Sequence, residues 1–388
     1  MKLQLYRINT LKLSQLFVYA YCFFLVIFVF NGYEFGAVFE TMTIPLIILL
    51  VTSFFSHIEF DLLNLVLVIG LIISAVVATY SSTIVSFSQS RIWSFVACCL
   101  TYYWISCIRV DENKLHFILS FYVKFSFLLV FWIILGYIFG FGIDSYGRTS
   151  INFVEFFKDQ NYLSAFFVPS FAICCYRMVY SKGRKVVLNI LYMGMIVFAV
   201  FTMGSRGSFL TLIMIGTLFV AKIILKDRNF TRKCLLLLFL GVSVIVLYNT
   251  LQSLPLFQRM MGFEEYGSDV RIRLWAAALK GFWEHPVLGS GIGAGSVYAW
   301  SIVGNATHNS FVELLSDQGV VGTILVFWMI GRMFFSSKKN KFFILLLIVA
   351  FFLPLFFLTG YSNFTFWMPM FFVNFITNNL KDKDEIIL

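Results

Sequence analysis

Stretches of about twenty apolar residues recur along this chain, and that recurrence dictates the solvent in which it folds. A helix needs about 20 predominantly apolar residues to cross a hydrocarbon core of about 30 Å. About twelve runs meet that measure: 13–31, 35–55, 61–80, 92–109, 115–140, 160–180, 186–203, 207–225, 234–251, 309–335, 342–359 and 362–380. Charged residues make up only 12% of the chain, against roughly 25% in a soluble domain. Its 49 Phe exceed what one aqueous core could hide, so the surface itself is apolar and the solvent is lipid. In lipid each run is helical, because an unpaired backbone amide there costs several kcal/mol. The expected fold is an all-α polytopic membrane protein with about twelve transmembrane helices, a single integral membrane domain over residues 1–388.

The net charge of +10 would suggest nucleic acid in a soluble protein. Here most basic residues lie between apolar runs, where they set topology, and no nucleic-acid partner is expected. With the N-terminus inside, twenty of the 29 Lys and Arg fall in cytoplasmic segments, and Lys124 lies within the fifth run. Eight remain outside: Arg91, Arg148, Lys158, Arg206, Arg259, Arg271, Arg273 and Lys280. That imbalance puts both termini in the cytoplasm and makes outer loops of 141–159 and 252–308, the second with an amphipathic helix from Ser268 to Trp283. The run after Lys12 is of spanning length with no small-residue cleavage site, so no cleavable signal is expected. The seven Cys lie in or beside apolar runs without metal-ligand spacing, which reads as packing.

Outer-face cations oppose the topological bias and form a shortlist. The bland reading is that they snorkel or meet lipid phosphate. The sharper one starts from Arg206 in a Gly-Ser-Arg-Gly-Ser turn and from Arg271 and Arg273 beside Trp275, since guanidinium forks suit phosphate oxygens. His308 stands directly before a run, and Ser310 with Glu313 has the spacing of a capping box. The positive end of the helix dipole then disfavours imidazolium, leaving a neutral base at neutral pH or an interfacial His with no chemical task. Gly289-Ser-Gly-Ile-Gly-Ala294 fits a dinucleotide fingerprint by letter but lacks a βαβ unit, so it reads as a flexible turn. No cluster has metal-ligand spacing, and neither a metal nor another cofactor is expected.

Four blocks in order resemble the O-antigen polymerase/ligase superfamily, the Wzy-type polymerases and WaaL-type ligases. Gly147-Arg148 followed by Lys158-Asp159-Gln160-Asn161 resembles its Arg and Asp-Pro-Asn block, with Gln160 in place of Pro. Gly204-Ser205-Arg206-Gly207 resembles its Ser-Arg-Gly turn. Arg271 to Trp275, running on to His285-Pro286-Val287-Leu288-Gly289, resembles its Arg-x-x-x-Trp and Pro-x-x-Gly block. His308-Asn309-Ser310-Phe311 and Glu313 to Gly319 resemble its His-Asn-Ser helix start. The match spans residues 147–322.

The resemblance implies a C-type glycosyltransferase fold in the bacterial inner membrane, with a periplasmic site working without metal or nucleotide. It implies an undecaprenyl-pyrophosphate-linked oligosaccharide as donor and, in a polymerase, also as acceptor, with membrane lipid and a chain-length regulator protein as partners. By position, Arg206 and Arg271 would hold the pyrophosphate and His308 would act on the acceptor hydroxyl. Arg148, Lys158, Asn161, Ser205 and Asn309 are expected substrate contacts. Arg273 joins them for its place beside Trp275, without a counterpart in the family's pattern. The first reading is an O-antigen polymerase of lipopolysaccharide biosynthesis. The alternatives are a ligase to lipid A-core and a non-enzymatic flippase, which would line its path with midplane charge.

Overall fold

The computed structural model describes residues 2–30, 37–82, 85–144, 147–150, 159–180, 183–226, 265–337 and 339–380. Helices are α1 (Lys2–Phe30), α2 (Ala37–Ser53), α3 (Leu62–Ser81), α4 (Val85–Ser106), α5 (Glu112–Phe139), α6 (Gln160–Tyr180), α7 (Arg184–Thr202) and α8 (Arg206–Lys226). They continue with α9 (Glu265–Glu284), α10 (Ala294–Val303), α11 (Ser310–Ser336), α12 (Lys341–Phe352), a 3-10 turn (Leu353–Phe357) and α13 (Phe364–Leu380). Every expected run within the described residues is met by one of these; the run 234–251 lies outside them. Among the described residues six helices, α3, α5, α6, α7, α8 and α11, are long and apolar enough to cross a membrane. Shorter apolar helices include Ser14–Val29, Met42–Ser53 and Lys341–Phe357, and also Ala294–Val303, which no expected run covers. The chain is an all-α polytopic membrane protein.

Lipid exposure is written on α3. Its outward stripe of Leu62, Val66, Ile69, Ile73 and Val77 is exposed and as apolar as the buried stripe of Leu67, Val68, Leu71 and Ala75. A water-facing helix would carry polar residues on that outer face. Between helices in lipid, the hydrophobic effect gives no drive, and packing and hydrogen bonds must hold the bundle. Aromatic rings supply much of that packing. All of α13 but Asn378 is buried, and the rings of its Phe372 and Phe375 lie 5.1 Å from those of Tyr122, Phe351 and Tyr21. Those spacings fall in the favourable range for aromatic pairs.

At one end of the bundle, β1 (His57–Ile58), between two expected runs, forms a two-stranded antiparallel bridge with β2 (Ile108–Arg109), the end of the expected run 92–109. Asn379 of α13 closes it: its Oδ1 accepts from Val110 N at 2.7 Å and its Nδ2 donates to Ile108 O at 3.1 Å.

At the other end α11 is broken, and the break corrects the flexible-turn reading of residues 289–294. Gly319 has φ 58 and ψ −156. The amides that lose helical partners there, Val320 N and Val321 N, donate to Pro286 O at 2.9 Å and Val287 O at 3.1 Å. The freed carbonyls of Ser316 and Asp317 accept from Ser290 N at 2.9 Å and Gly291 N at 3.0 Å. Residues 289–296 are all buried. The segment is a clamped plug in a broken helix, which is how irregular backbone is tolerated within a membrane protein. Gly289 has φ +80, and a Cβ there would stand 2.3 Å from Gln318 N. Left-handed backbone costs a residue with a Cβ about 1–2 kcal/mol and overpacking a further 1–3 kcal/mol or so. Gly289→Ala is therefore expected to lower the melting temperature in detergent clearly; an unchanged value would mean the plug is not clamped.

Candidate active site

The site grows from four chain segments at this same end. Asp159 starts α6: its Oδ1 accepts from Asn161 N at 2.7 Å. The α7–α8 turn passes through Gly204 at φ 66 and makes Arg206 the first residue of α8. Gly207 lies so close to Phe357 that a Cβ would come within 2.6 Å of its ring. Ser164 and Ser208 hydroxyls, 2.8 Å apart, tie α8 to α6. On α9 the Arg271 guanidinium lies 5.9 Å from the centre of the Phe357 ring. His308 precedes α11 with φ 50, the one non-glycine residue at positive φ among those described.

Residues 357–361 are the hub on which these segments meet. Leu358 O accepts from Ser310 Oγ at 2.7 Å, and Thr359 O accepts from Tyr162 Oη at 2.7 Å. Thr359 Oγ1 accepts from His308 N at 2.7 Å. Gly360 N and Tyr361 N donate to Glu313 Oε2 at 2.9 and 3.1 Å.

Electrostatics brings the charged members together. Burial lowers the pKa of Arg271, the like charge of Arg206 lowers it further, and Asp159 partly offsets both. Burial also lowers the pKa of His308 below the ordinary histidine value of 6.5; Asp159 and Glu313 oppose this and Arg271 adds to it. The imidazole is thus neutral at pH 7. Arg271 thus lies within electrostatic reach of both Arg206 and Asp159, and Arg206 sits at the positive end of α8, where a cation is disfavoured. Such a cluster suits an anion with phosphate-like oxygens. Backed by a neutral imidazole, it can hold an anionic leaving group and accept a proton beside it.

Residues 188–327 match the family model described as O-antigen ligase. That match supports the resemblance to the O-antigen polymerase/ligase superfamily. No curated protein matches the chain. The matched segment carries Arg206, Arg271 and His308, while Asp159 and Thr359 come from outside it and meet it only in three dimensions.

Other expected site residues fall differently. Arg148 pairs with Asp144, its Nε and Nη2 each 2.8 Å from Oδ2, so its charge is already met within its own loop. Lys158 lies outside the described residues. Arg273 is exposed, and residues two apart on a helix do not share a face. Ser205 is buried and donates to Ser208 Oγ at 3.2 Å, and Asn161 is half-buried in the first turn of α6. Asn309 is the true cap of α11, its Oδ1 accepting from Phe311 N and Val312 N at 3.0 and 3.1 Å. The expected Ser310–Glu313 capping box is therefore absent: Asn309 takes the cap, and both side chains turn to the 358–361 segment.

Arg91 also departs from its snorkelling reading. It lies in α4, half-buried and within electrostatic reach of Glu313 and Asp317, which are 3% and 1% exposed. Asp317 further accepts from Gly293 N at 2.7 Å and Gly295 N at 2.8 Å. Arg91 thus lies in the field of a buried carboxylate pair. Among the described residues no group of three or more His, Cys, Asp and Glu could hold a metal ion.

Proposed function

We propose that this protein is a polysaccharide polymerase that moves glycan from undecaprenyl pyrophosphate to a sugar hydroxyl of another lipid-linked repeat unit, with inversion and without metal. The observation that carries the reading is the convergence of Arg206, Arg271 and a neutral His308 around the Phe357–Thr359 segment. The bond from the anomeric carbon to the pyrophosphate oxygen breaks, and its electrons stay on pyrophosphate, already a stable anion. That departure needs charge stabilisation more than a proton donor, which the two guanidiniums supply. The acceptor oxygen attacks from the opposite face, and its proton passes to the His308 imidazole. Polyprenyl tails stay in lipid throughout.

The same proposal includes about twelve crossings, a C-type glycosyltransferase architecture, the bacterial inner membrane, both termini in the cytoplasm and the site on the periplasmic face. Support for the orientation is the twenty-to-eight division of Lys and Arg. Cysteines placed at the exposed positions Lys280 and Asn305 should react with a membrane-impermeant thiol reagent from the periplasm, and one at the exposed Lys339 should be protected. The reverse pattern would invert the orientation.

A second reading, transfer of finished glycan to lipid A-core, is favoured by the description of the matching family as O-antigen ligase. Deleting the gene separates the two. Loss of a polymerase leaves single repeat units on the final acceptor. Loss of a ligase strands long glycan on the polyprenyl carrier, and that outcome would replace the first reading by the second.

A further inference from the structure

We propose that Thr359 and Glu313 are positioning residues for His308, acting through the backbone of residues 358–361; the inference rests on the assignment of His308 as the base. The argument starts at the φ of 50 at His308. Side chains with a Cβ rarely occupy that region, and a residue held there persists only where its surroundings over-determine it. Rotation about N–Cα sets where Cβ points. Two contacts fix that rotation: the Asn309 cap holds the peptide after His308, and Thr359 Oγ1 holds its N–H at 2.7 Å.

Thr359 is in turn held from two sides. Its carbonyl accepts from Tyr162 Oη of α6 at 2.7 Å. The next two amides, Gly360 N and Tyr361 N, both end on Glu313 Oε2. The other oxygen of that carboxylate accepts from Ser296 Oγ of α10 at 2.7 Å. Glu313 thus joins α10, α11 and the hub through three accepted hydrogen bonds. A carboxylate only 3% exposed is costly, and one at membrane depth marks a functional role by default. Its position one turn into α11, tied to the segment that holds the His308 amide, assigns that role as aiming the imidazole. Gly360, at φ +143, leaves no room for a Cβ, which would come 2.6 Å from Thr365, so the hub has little freedom to drift.

Thr359→Val keeps shape and volume but removes the acceptor for His308 N–H, whereas Thr359→Ser keeps it. With purified protein and a lipid-linked repeat unit, Thr359→Val is expected to lower kcat about 10- to 100-fold, the loss that about 1 Å of misplacement brings. KM for the donor and the melting temperature should stay close to wild type, and Thr359→Ser should recover most of the loss. Glu313→Gln keeps an acceptor for both amides and should lose less than Thr359→Val. Equal losses in the Val and Ser variants, or a loss confined to KM, would overturn the positioning role. Wild-type kcat in Thr359→Val beside an inactive His308→Ala would overturn it too, yet leave the base assignment standing. An active His308→Ala would remove both.

Discussion

Replacing His308 by Ala is expected to leave a folded, membrane-inserted protein whose transfer rate has fallen about 10²–10⁴-fold, the usual contribution of a general base. The fold should survive because the contact that His308 makes with Thr359 uses its backbone N–H, which Ala retains. Positive φ is less strained for Asn than for Ala, so His308→Asn gives a second inactive variant with less backbone cost. Both should reach the membrane at wild-type levels. The pH profile offers an independent check. Neutral imidazole is the working form, so activity falls as pH drops through its pKa. Burial lowers that pKa, which places the midpoint of the acid limb below 6.5. A limb centred above 6.5, or none, would mean that another group accepts the proton.

The second large effect belongs to Arg206 and Arg271. Replacing either by Ala removes a donor aimed at the departing charge, worth about 10²–10³ in rate where such donors have been removed elsewhere. Lys retains the charge but loses the planar fork, so Arg→Lys should also fall well below wild type. Stability should respond differently. The two guanidiniums repel each other, and Arg206 opposes the α8 dipole. Removing either relieves that repulsion, so the melting temperature is expected to change little while activity collapses. Such a split is typical of residues kept for function against local stability. Full activity in both Ala variants would remove pyrophosphate binding from the mechanism.

Helix positions were legible in the sequence because lipid leaves few choices: a run of spanning length must pair its amides internally. Arg206, Arg271 and His308 stood out because each opposes a rule, two as cations in segments expected on the outer face and one as a polar group before an apolar run. What stayed hidden depends on partners distant in sequence. Ser310 and Glu313 have capping-box spacing, but Asn309 captures the cap, and Glu313 finds its partners 47 and 48 residues away. Residues 289–294 look like a free turn until Gly319 breaks α11 and leaves amides and carbonyls for that segment to satisfy. Arg91 reads as interfacial because its carboxylates lie on another helix. Thr359 had one visible signal, its place at the start of the stretch Thr359–Asn363 where two expected runs, 342–359 and 362–380, nearly meet. Asp159 stood inside a recognised block, yet nothing local revealed that it faces His308 and Arg271. Arg148 is the opposite case, since Asp144 only four residues earlier could have been read as its partner.

The most direct measurement is a reaction with defined components. Purified protein is incubated with one undecaprenyl-pyrophosphate-linked repeat unit in the presence of a chelator, and the glycan and carrier products are resolved by size. The expected result is a ladder of lipid-linked oligomers with one undecaprenyl pyrophosphate released for each new glycosidic bond, absent in His308→Ala. Unchanged donor with the wild-type protein, loss of the ladder on adding chelator, or an equal ladder from His308→Ala would contradict metal-independent transfer by His308 and the two arginines.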